Sequence, residues 1–161
     1  MHVNIETIAF LALLILTLIR LPSAIREPSS RLTWVATITG LAAVFMVGVV
    51  VPLPLVDGWL GGTNVANLLQ NVLATTAFWF VMQAALTLDG SRFNPRSMWE
   101  LPVMLLTFTI PFLLIVDRGS TTEGFIKDTA DQLGLWAYAS IYMGCVVLIM
   151  ARMLRGIRHR K

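Results

Sequence analysis

The feature that most constrains the fold is a series of five apolar stretches, separated by short loops that hold most of the charged residues. A helix needs about 20 apolar residues to cross the hydrocarbon core of a bilayer, and each stretch is close to that length. We therefore predict an all-α membrane protein, a bundle of five transmembrane helices. The predicted spans are residues 3–19, 32–51, 64–88, 98–116 and 132–151.

The composition agrees with this class. Hydrophobic residues make up 57% of the 161 residues and charged residues only 13%, whereas about a quarter of the residues of a soluble domain are charged. One transmembrane domain over residues 1–151 takes up nearly all of this length, so we expect no soluble catalytic domain beside it. Glu6 precedes the first stretch and Arg20 follows it, which is the wrong polarity for a secretory signal, so we expect the first helix to be retained.

The basic residues indicate an orientation. Ten of the twelve Lys and Arg fall on one side of the predicted arrangement. The positive-inside rule then places the N-terminus outside and the C-terminus in the cytoplasm, and we expect a bacterial cytoplasmic membrane. Trp34, Trp59, Trp99 and Trp136 lie near predicted span ends, where tryptophan anchors helices at the interface.

Residues 152–161 form a predicted basic cytoplasmic tail. Although the net charge is +3 and the pI near 9.6, the basic residues sit at helix ends, which argues for the lipid bilayer and against nucleic acid as the partner. We interpret the tail as a topology anchor at anionic headgroups, and a cytoplasmic acidic protein is the alternative partner. The anchoring residues are Arg152, Arg155, Arg158, Arg160 and Lys161.

The third span is unusually polar. An unpaired amide in hydrocarbon costs several kcal/mol, so these side chains must face other helices or water. Two interpretations stay open: interhelical hydrogen bonds, worth about 0.6 kcal/mol each on average, or a polar lining for a ligand or an aqueous cleft. The residues are Asn64, Asn67, Gln70, Asn71, Thr75 and Gln83.

Two pairs of small residues predict helix–helix packing, and one carboxylate predicts a helix cap. Ala36 and Gly40, and likewise Ser140 and Gly144, are spaced four residues apart, which allows close approach of a second helix. Glu100 closes the sequence Ser-Met-Trp-Glu. This spacing fits a capping box, so we predict that Glu100 caps the fourth helix at the inner interface.

The sequence lacks the residues that several kinds of functional site require. No predicted span has a charged residue near its middle, which proton relays and ion-coupled sites usually require. The only cysteine, Cys145, excludes an intramolecular disulfide, and no Cys/His cluster or histidine pair is available for a metal or haem. We therefore expect no cofactor, no metal site and no catalytic residue.

Three sequence features carry a family resemblance: Arg20-Leu21-Pro22, Pro52, and Gly62-Thr63-Asn64-Val65-Ala66-Asn67-Leu68-Leu69. Through them the chain resembles the N-terminal membrane region of actinobacterial multi-pass proteins of unknown function, some labelled as transporters or integral membrane regulatory proteins. The resemblance implies that the Asn64/Asn67 segment is a shared structural feature, and that this chain is a shortened relative that needs a partner to complete its bundle.

These observations favour a non-enzymatic accessory or regulatory membrane protein. It would act through helix–helix contacts in the bilayer, as a homo-oligomer or with a larger membrane-protein partner. The alternative is a small oligomeric transporter or channel-like protein with a polar path along the third span. A third possibility, an intramembrane enzyme acting on lipid, lacks an identifiable catalytic pair.

Overall fold

The computed structural model describes residues 5–87, 95–115 and 131–158, and within them every regular element is helical. Two short 3₁₀ helices, Pro28–Ser30 and Pro95–Trp99, precede α2 and α5. The all-α prediction is therefore confirmed. The α-helices are α1 (Ile5–Arg26), α2 (Arg31–Met46), α3 (Leu53–Trp59), α4 (Val65–Leu86), α5 (Glu100–Leu113) and α6 (Leu133–Arg158).

Three of the described helices are long and apolar enough to cross a membrane. They are α1 and α4, with 22 residues each, and α6, with 26. The other two apolar helices are shorter: α2 has 16 residues and α5 has 14. At 1.5 Å per residue, α2 is about 24 Å long, against about 30 Å of hydrocarbon. Three of the five predicted spans therefore correspond to helices long and apolar enough to cross a membrane, and the count of five stays a prediction.

Two helices extend beyond the residues of the predicted spans. We expected the first span to end at Ile19, with Pro22 as a breaker, but α1 continues through Pro22 to Arg26. A proline removes one backbone donor, a loss that membrane helices tolerate when neighbouring groups compensate. At the other end, α6 continues to Arg158, so the first residues of the predicted tail are helical. The last two basic residues of the tail, Arg160 and Lys161, lie outside the described residues.

The connection between the second and third spans contains a helix that we did not predict. The helix of the second span ends at Met46, five residues before the predicted end, and α3 follows over Leu53–Trp59. Leu53 and Val56, three residues apart, are buried against Ala66 at the start of α4. This small apolar cluster explains why a segment rich in proline and glycine is helical.

The first two helices and α4 pack side by side, with α2 in the middle. The indole Nε1 of Trp34 on α2 donates a hydrogen bond to the carbonyl of Thr17 on α1 at 3.2 Å. At mid-height, a β-carbon placed on Gly40 of α2 would lie 3.9 Å from Leu13 of α1 and 3.8 Å from Ala77 of α4. Trp34, predicted as an interfacial anchor, thus joins α1 to α2.

The main core lies between α4, α5 and α6. Trp79 of α4, together with Phe108 and Phe112 of α5, is fully buried there. Tyr138 of α6 packs on both phenylalanines, with ring centroids 6.2 and 5.3 Å away. The five longer helices are therefore arranged in the spatial order α1, α2, α4, α6, with α5 packed chiefly on α6.

Contacts along this core fix the helix directions. Asn71 near the start of α4 meets Tyr138 near the start of α6, so these two helices run parallel. Glu100 at the start of α5 pairs with Arg152 towards the end of α6, so α5 runs antiparallel to them. The arginine side chains that the structure describes consequently all lie at one end of the bundle: Arg20, Arg26, Arg31, Arg152, Arg155 and Arg158.

Candidate functional site

The polar residues at the start of α4 are organised by a buried carboxylate. Asp57 on α3 is fully buried. Its Oδ2 accepts the backbone N–H of Asn64 at 2.8 Å, and its Oδ1 accepts the backbone N–H of Ala66 at 2.7 Å. The first N–H groups of a helix have no partner within it, and a carboxylate there is also favoured by the helix dipole. Asp57 therefore caps α4 from a separate helix.

Asn64 lies immediately before the first residue of α4. It has a left-handed backbone (φ 59°, ψ 22°) that asparagine tolerates better than most residues. Its side-chain Oδ1 accepts a hydrogen bond from Nδ2 of Asn67 at 3.0 Å. These two predicted polar residues thus bond to each other at the helix N-terminus.

A polar pocket of about 570 Å³ lies beside this N-terminus. We name as the polar pocket the cavity between the start of α1, the end of α2 and the start of α4. Of the six polar residues predicted on the third span, Asn67 and Gln70 line it, opposite Glu6 and Thr7. It lies at the end of the bundle opposite the arginine residues. The full lining is Glu6, Thr7, Val47, Gly48, Val49, Leu53, Asn67 and Gln70.

The remaining polar residues of α4 point elsewhere. Nδ2 of Asn71 donates a hydrogen bond to the hydroxyl of Tyr138 at 2.6 Å. Thr75 is fully buried, and its hydroxyl has no hydrogen-bond partner among the described residues. Gln83 is also buried, near the opposite end of the helix. The polar residues of α4 are therefore divided between the polar pocket, the contact with α6 and the core.

The two predicted pairs of small residues have different surroundings. Ala36 and Gly40 line an apolar groove of about 600 Å³ on α2, between α1 and α4. Ser140 and Gly144, in contrast, are exposed on the outer face of α6, and a β-carbon added to Gly144 would meet nothing within 4 Å. The first pair thus lies inside the arrangement of helices, and the second faces away from it.

The ion pair between Glu100 and Arg152 was missed by the sequence analysis. We predicted Glu100 as a helix cap and Arg152 as a headgroup contact, but the two side chains bond to each other and join α5 to α6. About 40% of each side chain is exposed. Opposite charges at the same end of two predicted spans were the available signal. Arg155 and Arg158, which are exposed in the last turns of α6, have the exposure that a headgroup contact requires.

The described site residues offer hydrogen-bonding groups to a ligand. Among the residues that the structure describes, no three His, Cys, Asp or Glu come together as a metal site would require. Asp57, which lies between the second and third predicted spans, holds the backbone at the start of α4. The polar pocket offers amide and hydroxyl groups and one carboxylate, a set that can bind a polar molecule through hydrogen bonds.

Comparison of the chain with protein-family models, with curated proteins and with solved structures found no match. The class that the fold defines is an all-helical protein with helices long and apolar enough to cross a membrane. The resemblance to actinobacterial membrane proteins stays a prediction. The roles of the residues are therefore inferred from the geometry of this chain alone.

Proposed function

We propose that the protein is a non-enzymatic, multi-pass protein of a bacterial cytoplasmic membrane that acts as an accessory or regulatory subunit through helix–helix contacts. The observation that carries this proposal is the outward-facing pair Ser140 and Gly144. In lipid, two helices associate through close packing rather than through the hydrophobic effect, and small residues four apart permit that packing. The open space above Gly144 leaves room for a second helix.

Apolar side chains flank this pair on the same helix. Met143 and Val147 are more than half exposed, so an approaching helix would meet apolar side chains on either side of the small residues. We name this surface, formed by Ser140, Met143, Gly144 and Val147, the outer face of α6. The partner would be a second copy of this chain or a larger membrane protein.

The proposed topology has all five apolar stretches across the bilayer, with the N-terminus outside. The clustering of the described arginines at one end of the bundle supports this orientation, since basic residues are retained on the cytoplasmic side. The shorter helices α2 and α5 would cross beside longer neighbours, α2 between α1 and α4 and α5 against α6.

Cysteine cross-linking tests the contact. Cys145 is the only cysteine, so Cys145→Ala gives a cysteine-free background into which Gly144→Cys is introduced. A benzophenone maleimide attached to that cysteine and illuminated in native membranes inserts into a C–H bond of the adjacent helix, and mass spectrometry should identify the adduct as a dimer or as a partner complex. Val103→Cys is the matched control: Val103 is exposed on α5, and its neighbour Met104 is 3.9 Å from Cys145, which places it at the same depth.

The outcomes of this experiment are distinct. An adduct at position 144 and none at position 103 supports the proposed contact face. No adduct at position 144, or equal adducts at both positions, contradicts it, because random collision in the membrane would not favour one helix.

A second candidate function is a small oligomeric transporter or channel-like protein. The polar pocket favours it, since Asn67, Gln70 and Glu6 surround a cavity large enough for a small polar molecule. If the protein is a transporter, Asn67→Leu should abolish flux of the transported molecule in reconstituted vesicles. Asn71→Leu should mainly lower stability, because Asn71 bonds to Tyr138 of α6. If the protein acts through contacts alone, there is no flux to lose in either variant.

A further inference from the structure

The apolar groove has the dimensions of half a bilayer. Its lining on α2 extends from Thr33 to Val44, and on α4 from Ala74 to Ala85. Each stretch rises 1.5 Å per residue, so the groove is about 16 Å long, or about half of the roughly 30 Å hydrocarbon core. The groove therefore matches the depth of one lipid leaflet.

The groove has the volume of a ligand site, about 600 Å³. The volume lies within the roughly 300–1,000 Å³ of typical ligand sites. A single hydrocarbon chain is the kind of occupant that this shape accepts.

The walls of the groove are chemically apolar along nearly all of its length. The floor is Ala36, Gly40 and Ala43 on α2, and α4 contributes alanine and large apolar side chains. The two threonine hydroxyls of the lining already donate within the same segment, Thr33 to Ser30 at 2.9 Å and Thr37 to Trp34 at 2.9 Å. The interior thus offers no free donor to a polar ligand.

One cation lies at the end of the groove. Arg20 is exposed on α1 at the arginine-rich end of the bundle and belongs to the lining. Among the described residues no carboxylate pairs with it. A guanidinium binds phosphate through two parallel hydrogen bonds. Hydrocarbon walls and a terminal arginine together match a molecule with an acyl chain and an anionic headgroup.

We infer that the groove between α1, α2 and α4 is a binding site for an anionic phospholipid, with one acyl chain along α2 and the phosphate group beside Arg20. Arg20 then selects the headgroup, and the small residue Gly40 leaves the space for the chain. The site is independent of the proposed contact on α6, which lies on a different face of the bundle.

Native mass spectrometry of the detergent-purified full chain tests this inference. Phosphatidylglycerol and phosphatidylcholine with identical acyl chains are titrated separately, so that only the headgroup differs. We expect phosphatidylglycerol to bind about fivefold more tightly to the wild type, as one basic residue at a membrane surface implies. Arg20→Gln should remove that preference by weakening phosphatidylglycerol binding more than phosphatidylcholine binding, because the choline cation already offsets the phosphate charge of the second lipid.

Matched variants distinguish the site from general lipid attraction. Arg26→Gln removes an arginine from the same end of α1 that does not line the groove, and should leave the preference unchanged. Gly40→Leu should reduce the binding of both lipids at least tenfold, because its side chain fills the floor. Gly40→Ala, for which the neighbours at 3.8–4.0 Å leave room, should fold normally and bind both lipids.

The overturning results are specific. Equal affinity of the wild type for the two lipids, or the same loss of preference in Arg26→Gln and Arg20→Gln, contradicts the inference. If the purified wild type binds no lipid but retains a bound protein that Gly40→Leu loses, the groove is a protein contact and the inference is contradicted. Gly144→Leu should bind lipid as the wild type does, so failure of the α6 contact and failure of the lipid site are separable.

Discussion

Asn71 and Tyr138 form a 2.6 Å hydrogen bond between the side chains of α4 and α6, the two long parallel helices. The tyrosine ring is enclosed by Phe108 and Phe112 of α5, with centroids 6.2 and 5.3 Å away. In an apolar environment the amide has few alternative partners. This bond therefore fixes the rotation of α4 against the α5–α6 pair.

Loss of the Tyr138 hydroxyl should destabilise the protein by a small, measurable amount. Interhelical hydrogen bonds in membrane proteins are worth about 0.6 kcal/mol on average and at most about 1.7. We expect Tyr138→Phe to lower the free energy of unfolding in a mixed-detergent titration by that order. A double-mutant cycle with Asn71→Leu should give a coupling of the same size.

Tyr142→Phe is the control for this prediction. Tyr142 lies one turn further along α6 and packs on Phe108 at 5.7 Å, so its substitution tests the loss of a hydroxyl without the Asn71 bond. A cycle in which the Asn71 and Tyr138 effects simply add would show that the bond contributes nothing to stability.

Asp57 should be the most sensitive polar residue at the start of α4. Asp57→Ala leaves the buried N–H groups of Asn64 and Ala66 without their acceptor, and loss of a helix cap costs up to about 2 kcal/mol. Asp57→Asn keeps one acceptor oxygen and should have an intermediate effect. Asp131→Asn, at an exposed position, should leave the unfolding free energy unchanged.

Hydrogen exchange gives an independent measurement of the same cap. In Asp57→Ala the amides at the start of α4 should exchange faster than in the wild type, whereas those of α6 should be unaffected. If α4 is equally protected in both proteins, Asp57 does not hold this terminus.

Gly48 should not accept a side chain. Its φ is +92°, and a β-carbon would lie 2.9 Å from the backbone nitrogen of Leu53, so Gly48→Ala combines backbone strain with a clash. Gly61 has a similar φ of +103° but open space around it, so Gly61→Ala has the strain alone, about 1–2 kcal/mol. Thermal unfolding in detergent should therefore show a larger loss for Gly48→Ala. Equal losses would mean that Leu53 moves aside at no cost.

The extent of the helices was predictable where polar segments bound an apolar stretch on both sides. The third span was predicted at residues 64–88 and α4 runs from Val65 to Leu86. Prediction failed where proline can either end a helix or be accommodated within one. The α1 helix continues through Pro22, and a stretch rich in proline and glycine forms α3. In each case neighbouring contacts decide, and a single sequence does not contain them.

The contacts of the candidate site were beyond the sequence for a different reason. The pairs Asp57–Asn64, Asn71–Tyr138 and Glu100–Arg152 depend on which helices are neighbours and on how each is rotated. The sequence indicated only that the polar side chains of α4 need hydrogen-bond partners. The actual partners come from α3 and α6, and the spacing along α4 is the same for every order of helices in the bundle.

The proposed orientation predicts which end of the bundle is accessible from outside the cell. In the Cys145→Ala background, a membrane-impermeant maleimide should label Trp59→Cys in intact spheroplasts, because Trp59 on α3 is 70% exposed at the end opposite the arginines. Arg155→Cys, exposed near the end of α6, should be labelled only after lysis. Labelling of position 155 in intact cells, with position 59 protected, would reverse the topology.

Thr75 provides the most direct test of whether the middle of α4 is a structural core. Its hydroxyl is fully buried and has no hydrogen-bond partner among the described residues. A buried hydroxyl without a partner costs roughly 1–3 kcal/mol, so Thr75→Val, which replaces it with a methyl group of similar shape, should raise the free energy of unfolding by about 1 kcal/mol. Thr76→Val is the control, since the Thr76 hydroxyl bonds to the Val72 carbonyl at 2.7 Å and its removal should bring no such gain. A loss of stability in Thr75→Val would instead show that a water molecule or a ligand bonds to this hydroxyl in the membrane. That result would favour the alternative function, a transporter whose polar path includes the middle of α4.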